Sequence, residues 1–379
     1  MTGARRGTLR GVTIGLLGAA AAGSGAAAQE RPESHPISMP LPTGSHAVGR
    51  TVLLLTDSTR REPFASDPAA RREVVVYLWY PSRPGARTAP SRQPFPLLVF
   101  SPGFEETAQA YTTVLEDLAS HGYVVAAIDH PYDALDVATP TGRPIPFARH
   151  AWETAVGAGP DSIIGYFKAR VEVWAADSRF VLDALARRDG RRVPDLAGRI
   201  DLGRIGAFGH SMGGLATARL CQLDRRVRAC MNQDSDYRGV PLLDFGDAAT
   251  LSQPFMFFAS DHSLIVTRRK PVPANADSIK LRRQQASQDS TLRHFRGGSY
   301  RVGVETPGFN HRSFMDTPML RDSGQPSAQA RRNLTIVRTY TRAFFDRYLG
   351  GARSTALDAA PLDSAVTVDR FAPDTVRRD

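Results

Sequence analysis

The sequence predicts an α/β fold, a mostly parallel doubly wound sheet with helices on both faces. Three observations carry that prediction. Apolar runs of strand length recur along the chain with helical stretches between them, which argues for parallel strands joined by helical crossovers. The runs are continuously apolar rather than alternating, as strands covered on both faces should be. One of them leads into a glycine-flanked serine, Gly209-His210-Ser211-Met212-Gly213, and a helical segment follows at once.

Taken in order, the chain opens with a targeting segment over residues 1–28. Arg5, Arg6 and Arg10 make a positive start, and Val12 to Ala22 is apolar but too short to span a bilayer. Ala26-Ala27-Ala28 then fits a small-x-small cleavage site before Gln29. The run Arg5 to Arg10 is loosely similar to a twin-arginine export signal. A signal peptide cleaved near Ala28 predicts an exported protein, periplasmic or extracellular; a membrane anchor is the rival reading. Residues 29–351 are expected to form one catalytic domain, and the polar stretch 352–379 a loosely ordered tail.

Within the domain, Val52 to Leu55 and Val74 to Trp79 read as the first strands. The later strands are Leu97 to Phe100, Tyr123 to Ile128, Ile205 to Phe208, Val227 to Met231, Phe255 to Phe258 and Tyr300 to Val304. Phe167, Val171, Trp174, Val181 and Leu185 recur at helical spacing and predict a helix with one core-facing stripe. A last helix is expected from Ser327 to Tyr348, ending at Gly350-Gly351. Pro131 to Pro160 and Thr267 to Gly298 are longer than simple crossovers need; in a doubly wound fold such excursions either shape the pocket or decorate the surface.

Composition excludes several classes. Apolar residues at 42% and charged residues at 23% describe an ordinary globular chain, not a disordered one. The net charge is +10, of which residues 1–28 carry three, leaving +7 for the rest. Lysine occurs only at Lys168, Lys270 and Lys280, and the arginines are scattered rather than striped, so nucleic acid is not an expected partner. The charge does allow transient contact with an anionic lipid surface. No His or Cys pair has zinc-site spacing, so neither metal nor cofactor is expected. Cys221 falls on the helix after Ser211 and Cys230 on the next strand, a pair either bonded or left as two buried thiols.

The chemistry lies in the Gly-x-Ser-x-Gly pentapeptide. A nucleophile elbow places serine on a sharp strand-to-helix turn with its hydroxyl exposed, and side chains at the flanking positions would clash. Serine is a poor nucleophile until an imidazole takes its proton, and a third group must hold that imidazole in the right tautomer. In the α/β-hydrolase fold the chain order is serine, acid, histidine. Of His262, His294 and His311, only His311 follows the last apolar strand, in a loop able to reach the elbow. Asp234 and Asp261 both follow strands, with Asp236 a weaker rival, and periodicity does not choose between them. The oxyanion donors expected are the backbone N–H groups of Met212 and of Phe104, in the turn Ser101-Pro102-Gly103-Phe104, since Pro102 has none.

Three stretches resemble the platelet-activating factor acetylhydrolases of the plasma and intracellular type II group. They are Pro96 to Gly103 continuing to Asp117 to Ala127, Ile205 to Gly214, and Arg226 to Asp234. The resemblance covers roughly residues 95–320. It implies a serine esterase acting on small-molecule or lipid esters with short or oxidised acyl chains, phospholipid sn-2 esters among them. It also implies Ser211, Asp234 and His311 as triad. Pro102 and Glu105 depart from the family's His-Gly-x-Gly turn, which bears on pocket shape. A cutinase-like polyester hydrolase is the alternative enzyme, since Gly-His-Ser-Met-Gly-Gly is similar to its elbow. A non-catalytic hydrolase-fold binding protein is the alternative of another class.

Overall fold

Strand order follows from where the apolar runs can be covered. In the computed structural model the described residues are 38–83, 87–89, 91, 93–187, 196–235, 251–260, 295, 297–320 and 326–371. The segment read as a signal peptide, and most of Thr267 to Gly298, lie outside them. All described residues belong to the unit Ile37–Asp379.

The chain opens with an antiparallel hairpin, β1 (Ala47–Arg61) and β2 (Arg71–Arg83), with β3 (Arg87–Thr88) against β2. Then come β4 (Phe95–Ser101), α1 (Thr112–Ser120), β5 (Val124–Asp129), the short hairpin β6 (Val137–Ala138) and β7 (Pro144–Ile145), α2 (Arg149–Gly157) and α3 (Pro160–Ala186). Next are β8 (Ile200–His210), α4 (Met212–Leu223), β9 (Val227–Gln233), β10 (Phe255–Ser260), β11 (Ser299–Val304), α5 (Ala328–Tyr348) and β12 (Val366–Phe371). The main sheet runs β1-β2-β5-β4-β8-β9-β10-β11-β12. From β5 to β11 every pairing is parallel.

Alternate residues of each strand supply two cores. Val74, Val76, Leu97 and Val99 face α3 and α4, whereas Val75, Leu98, Phe100 and Phe208 face α1 and α5. Both faces being covered explains why the strands read as unbroken apolar runs. Pro160 opens α3 at its first turn, where its missing N–H is no loss. Ser327 caps α5 by accepting from the Ala330 amide at 3.1 Å.

One expectation is corrected. The stretch read as a loose tail carries β12, which pairs antiparallel with β11 from Val304↔Val366 to Ser299↔Phe371. Only Val366 and Phe371 of this strand are buried, so an edge strand with one half-covered face looked polar in sequence. Residues 372–379 lie outside the described ones. Cys221 on α4 and Cys230 on β9 are joined by a disulfide, with Cα atoms 6.6 Å apart.

The sheet fixes where a site can form. β4 has β5 on one side and β8 on the other, so crossovers leave it in opposite directions. The crevice outside the carboxyl ends of β4 and β8 is therefore the topological switch point. Ser101 ends β4, and Ser211 directly follows β8.

Candidate active site

Ser211 sits between β8 and α4 with φ 53° and ψ −127°, backbone that L-residues rarely adopt and that only surrounding structure can hold. Its amide donates to Gln233 O at 2.9 Å, and its carbonyl accepts from Gly214 N at 2.8 Å. The flanking glycines are required by contact. A Cβ on Gly209 would stand 2.3 Å from Gly213 O, and one on Gly213 would stand 2.1 Å from Ser101 O. The elbow thus presses against the end of β4.

The acid and the imidazole arrive from the other side. Asp234 directly follows β9 with φ 55°, a left-handed conformation that Asp tolerates better than most residues. Its amide donates to Phe258 O at 2.7 Å, which turns the carboxylate toward the end of β10. There Oδ1 accepts from Ser260 N at 2.7 Å and Oδ2 from Ser260 Oγ at 2.8 Å. His311 Nδ1 donates to the same Oδ2 at 2.8 Å. The loop bearing His311 is held by a capping turn: Asn310 Oδ1 accepts from Arg312 N at 2.9 Å, and Ser313 Oγ accepts from Asn310 N at 2.9 Å. Asn333 of α5 braces it through Gly308 O at 3.1 Å. The His311 ring lies against His210, the residue before Ser211, with centroids 4.4 Å apart. Its side chain stays 39% exposed. Asp236, Asp261, His262 and His294 lie outside the described residues.

Met212 is the first residue of α4, so its N–H has no acceptor within the helix and forms part of the positive end of the helix dipole. The turn after β4 lies beside it. A Cβ on Gly103 would be 3.4 Å from Ser211 Cβ. The Phe104 ring packs in an aromatic cluster with Phe147, Trp152, Tyr166 and Phe167, with centroids 5.1 to 6.1 Å away, against the core on the α3 and α4 face. The excursion Pro131 to Pro160 supplies two of these rings, so that segment packs against the turn after β4.

Two residues not singled out in the sequence join the site. Tyr111, fully buried, accepts from Gly103 N at 3.0 Å, leaving its own hydroxyl to donate to His210 Nδ1 at 2.8 Å. Burial pushes His210 down to about 3, with the adjacent His311 adding to the effect, so it is neutral near pH 7. Ser260 is the other. No motif spacing marks either residue: Ser260 is placed by the register of β10 and Tyr111 by the helical turn Ala108–Tyr111. Among the described residues, no group of three or more His, Cys, Asp or Glu is arranged to hold a metal ion.

Sheet order and elbow together define an α/β-hydrolase fold. A profile of the family described as platelet-activating factor acetylhydrolase, isoform II, matches residues 69–139, and two curated proteins of that kind are similar to this chain. It is 23% identical over 280 residues to a probable 1-alkyl-2-acetylglycerophosphocholine esterase of Arthroderma benhamiae, covering 68% of this chain and 61% of that protein. It is 28% identical over 184 residues to the platelet-activating factor acetylhydrolase of Canis lupus familiaris, covering 44% of this chain and 40% of that protein. The chain therefore spans under two thirds of the length of either relative. Among solved structures it is similar to a ferulic acid esterase from Streptomyces cinnamoneus, at 30% identity and a TM-score of 0.64, covering 86% of this chain and 98% of that one.

Proposed function

We propose that the protein is a serine esterase, with Ser211 as nucleophile, His311 as general base and Asp234 as the acid that orients it. The observation that carries this reading is the 2.8 Å bond from His311 Nδ1 to Asp234 Oδ2, in a chain whose Ser211 occupies the strained elbow. An imidazole that donates from Nδ1 keeps a lone pair on Nε2 to accept a proton. Ser211 Oγ would attack the ester carbonyl while His311 takes its proton. The carbonyl oxygen becomes an oxyanion, with the Met212 and Phe104 amides as its donors. Collapse expels the alcohol, protonated by His311, and leaves an acyl-serine. Water, activated by the same imidazole, then releases the acid and restores Ser211.

The similarity to platelet-activating factor acetylhydrolases supports short or oxidised acyl esters, phospholipid sn-2 esters among them, as substrates. A second reading is favoured by the aromatic cluster at Phe104: esters of aromatic acids, as in the name of the Streptomyces structure. Export is part of the proposal, supported by the pattern of residues 1–28 and by the Cys221–Cys230 disulfide, a bond favoured in oxidising compartments. Among the described residues no helix is long and apolar enough to cross a membrane.

The test is a fluorophosphonate probe followed by peptide mapping, then rates on acetyl, butyryl, feruloyl and phospholipid sn-2 acetyl esters. Labelling at Ser211 and fastest turnover of the short acyl esters are expected. An unlabelled Ser211 in protein that hydrolyses esters would overturn the assignment; fastest turnover of feruloyl esters would favour the aromatic reading.

A further inference from the structure

A second Ser–His–Asp array lies behind the first. Ser101 Oγ is 3.3 Å from His130 Nε2, and His130 Nδ1 is 2.9 Å from Asp177 Oδ2. All three residues are buried. The His130 ring stacks on Trp174, with centroids 4.1 Å apart and planes 6° from parallel. Arg72 grips Asp177 with two donors, at 2.6 and 3.1 Å, and also donates to Glu62 at 2.7 Å and to Pro131 O at 3.1 Å. Burial raises the Asp177 carboxyl, but Arg72 and the His130 bond outweigh it and hold it well below the usual carboxylate range. Asp177 is therefore an acceptor, and His130 Nδ1 donates to it. Nε2 is left as the acceptor for the Ser101 hydroxyl.

The same helix holds the next residues of that loop. Asp133 accepts from Arg170 Nε at 2.8 Å and from Trp174 Nε1 at 2.7 Å. Asp133 O accepts from Glu105 N at 2.8 Å, and Glu105 O accepts from Leu135 N at 3.1 Å. Glu105 and Tyr132 both have positive φ, 69° and 68°, strain that such a network has to hold. Arg170, Trp174 and Asp177 are spaced four and three apart, so they share one face of α3. The turn Ser101 to Glu105 is thus gripped at both ends, through His130 and through Asp133, and Phe104 lies between the grips.

We propose that Ser101, His130 and Asp177 are positioning residues that fix the turn carrying the Phe104 amide, so that α3 sets the oxyanion hole rather than merely filling the core. This rests on the esterase reading. Burial keeps Ser101 from serving as a second nucleophile; its hydroxyl works as a peg.

The test compares the full chain with its Ser101→Ala and His130→Asn variants on p-nitrophenyl acetate and on the matching thionoacetate. Ser101→Ala removes one hydroxyl and leaves the α3 network intact, so it carries the test if His130→Asn fails to fold. A shifted donor is expected to lower kcat by about tenfold, less than the loss of a whole donor, with KM within about twofold. The preference for the oxygen ester over the thionoester is expected to fall as well, since that preference reads donor placement. A purely structural role would reduce folded protein and scale both substrates together. Unchanged kcat, or an unchanged oxygen-to-sulfur ratio, overturns the proposal. Absence of ester hydrolysis in the unaltered chain would instead overturn the esterase reading.

Discussion

Two sets of Ser, His and Asp stand on either side of the β4–β8 crevice, and their difference is environmental. In one, the His311 side chain is 39% exposed and Ser211 occupies strained backbone. In the other, the His130 side chain is 1% exposed, stacked on Trp174 and tied to an ion-paired carboxylate. The hydrogen-bond logic is alike: each carboxylate orients Nδ1 and leaves Nε2 to accept. Access separates them. A nucleophile needs an open approach and an imidazole free to gain and lose a proton, whereas a buried imidazole locked between two partners can only hold a shape.

The sharpest break between the two sets is expected at the serines. Ser211→Ala is expected to lower kcat for ester hydrolysis by roughly 10⁶-fold, because members of a triad act as a unit, with the unfolding midpoint nearly unchanged. Initial rates and a thermal melt on the same preparation measure both. A loss of tenfold or less would place Ser211 outside the chemistry. Asp234→Asn comes next, with a loss on the order of 10⁴-fold, since an amide at that position favours the wrong His311 tautomer. Asp177→Asn in the buried set should instead lower stability more than it alters the chemistry of the protein that remains folded. Equal kcat losses from Asp234→Asn and Asp177→Asn, at equal folded fraction, would erase the distinction.

Most of the fold was legible because the buried strands are continuous apolar runs: β4, β5, β8, β9, β10 and β11 all lie where such runs stand. β12 was not, because an edge strand with one covered face carries Thr367, Asp369 and Arg370 and looks like tail. The elbow was legible because its chemistry demands glycine at fixed spacing. The stripe Phe167, Val171, Trp174 was read as core, which it is, yet the polar residues interleaved with it went unread. Arg170 and Asp177 lie on the Trp174 face, but their partners, Asp133 and Arg72, are 37 and 105 residues away. Pairings that long are set by strand order, and no local pattern announces them. Tyr111, Ser260 and His130 were hidden for the same reason.

A smaller effect is expected at Tyr111, which connects the two sets. Its hydroxyl accepts from Gly103 N and donates to His210. Tyr111→Phe would leave the Gly103 amide buried without that acceptor, at a cost of about 1–3 kcal/mol. Urea unfolding checks the number. The loss in kcat should stay well below that of Asp234→Asn, because Phe104 is still held through Glu105.

The smallest expected effect concerns Asp129, the residue before His130, and sharpens the contrast within the buried side. Asp177 has Arg72 beside it and stays ionised; Asp129 is equally buried, and among the described residues its Oδ1 accepts from Ala108 N at 2.6 Å, with no arginine against it. Burial raises its carboxyl to about 7, against which the Ala108 bond is the weaker influence. In the unfolded chain this carboxyl titrates near the ordinary value of 3.8. Between those limits the folded state holds a proton that the unfolded state has lost, so the contribution of Asp129 to stability falls as pH rises and levels off above about 7. Asp316, raised by burial to about 6, adds to the slope in the lower part of that range. The depressed carboxylate of Asp177 acts in the opposite sense, and only as pH falls below the ordinary carboxylate value. His210 and His130, kept neutral by burial, oppose this slope below the ordinary imidazole value of 6.5, so the carboxyl is read as a difference: urea unfolding at pH 5, 6, 7 and 8 is compared between the unaltered protein and Asp129→Asn, a raised carboxyl contributing at most about 1.4 kcal/mol per pH unit. Asp129→Asn keeps an oxygen for the Ala108 amide and removes the titration, so its stability should gain on that of the unaltered protein as pH rises from 5 to 7, and at pH 8 it should be the more stable protein. Parallel curves for the two proteins would mean that Asp129 is ionised in the folded state, and that the buried side tolerates a carboxylate charge without an arginine partner.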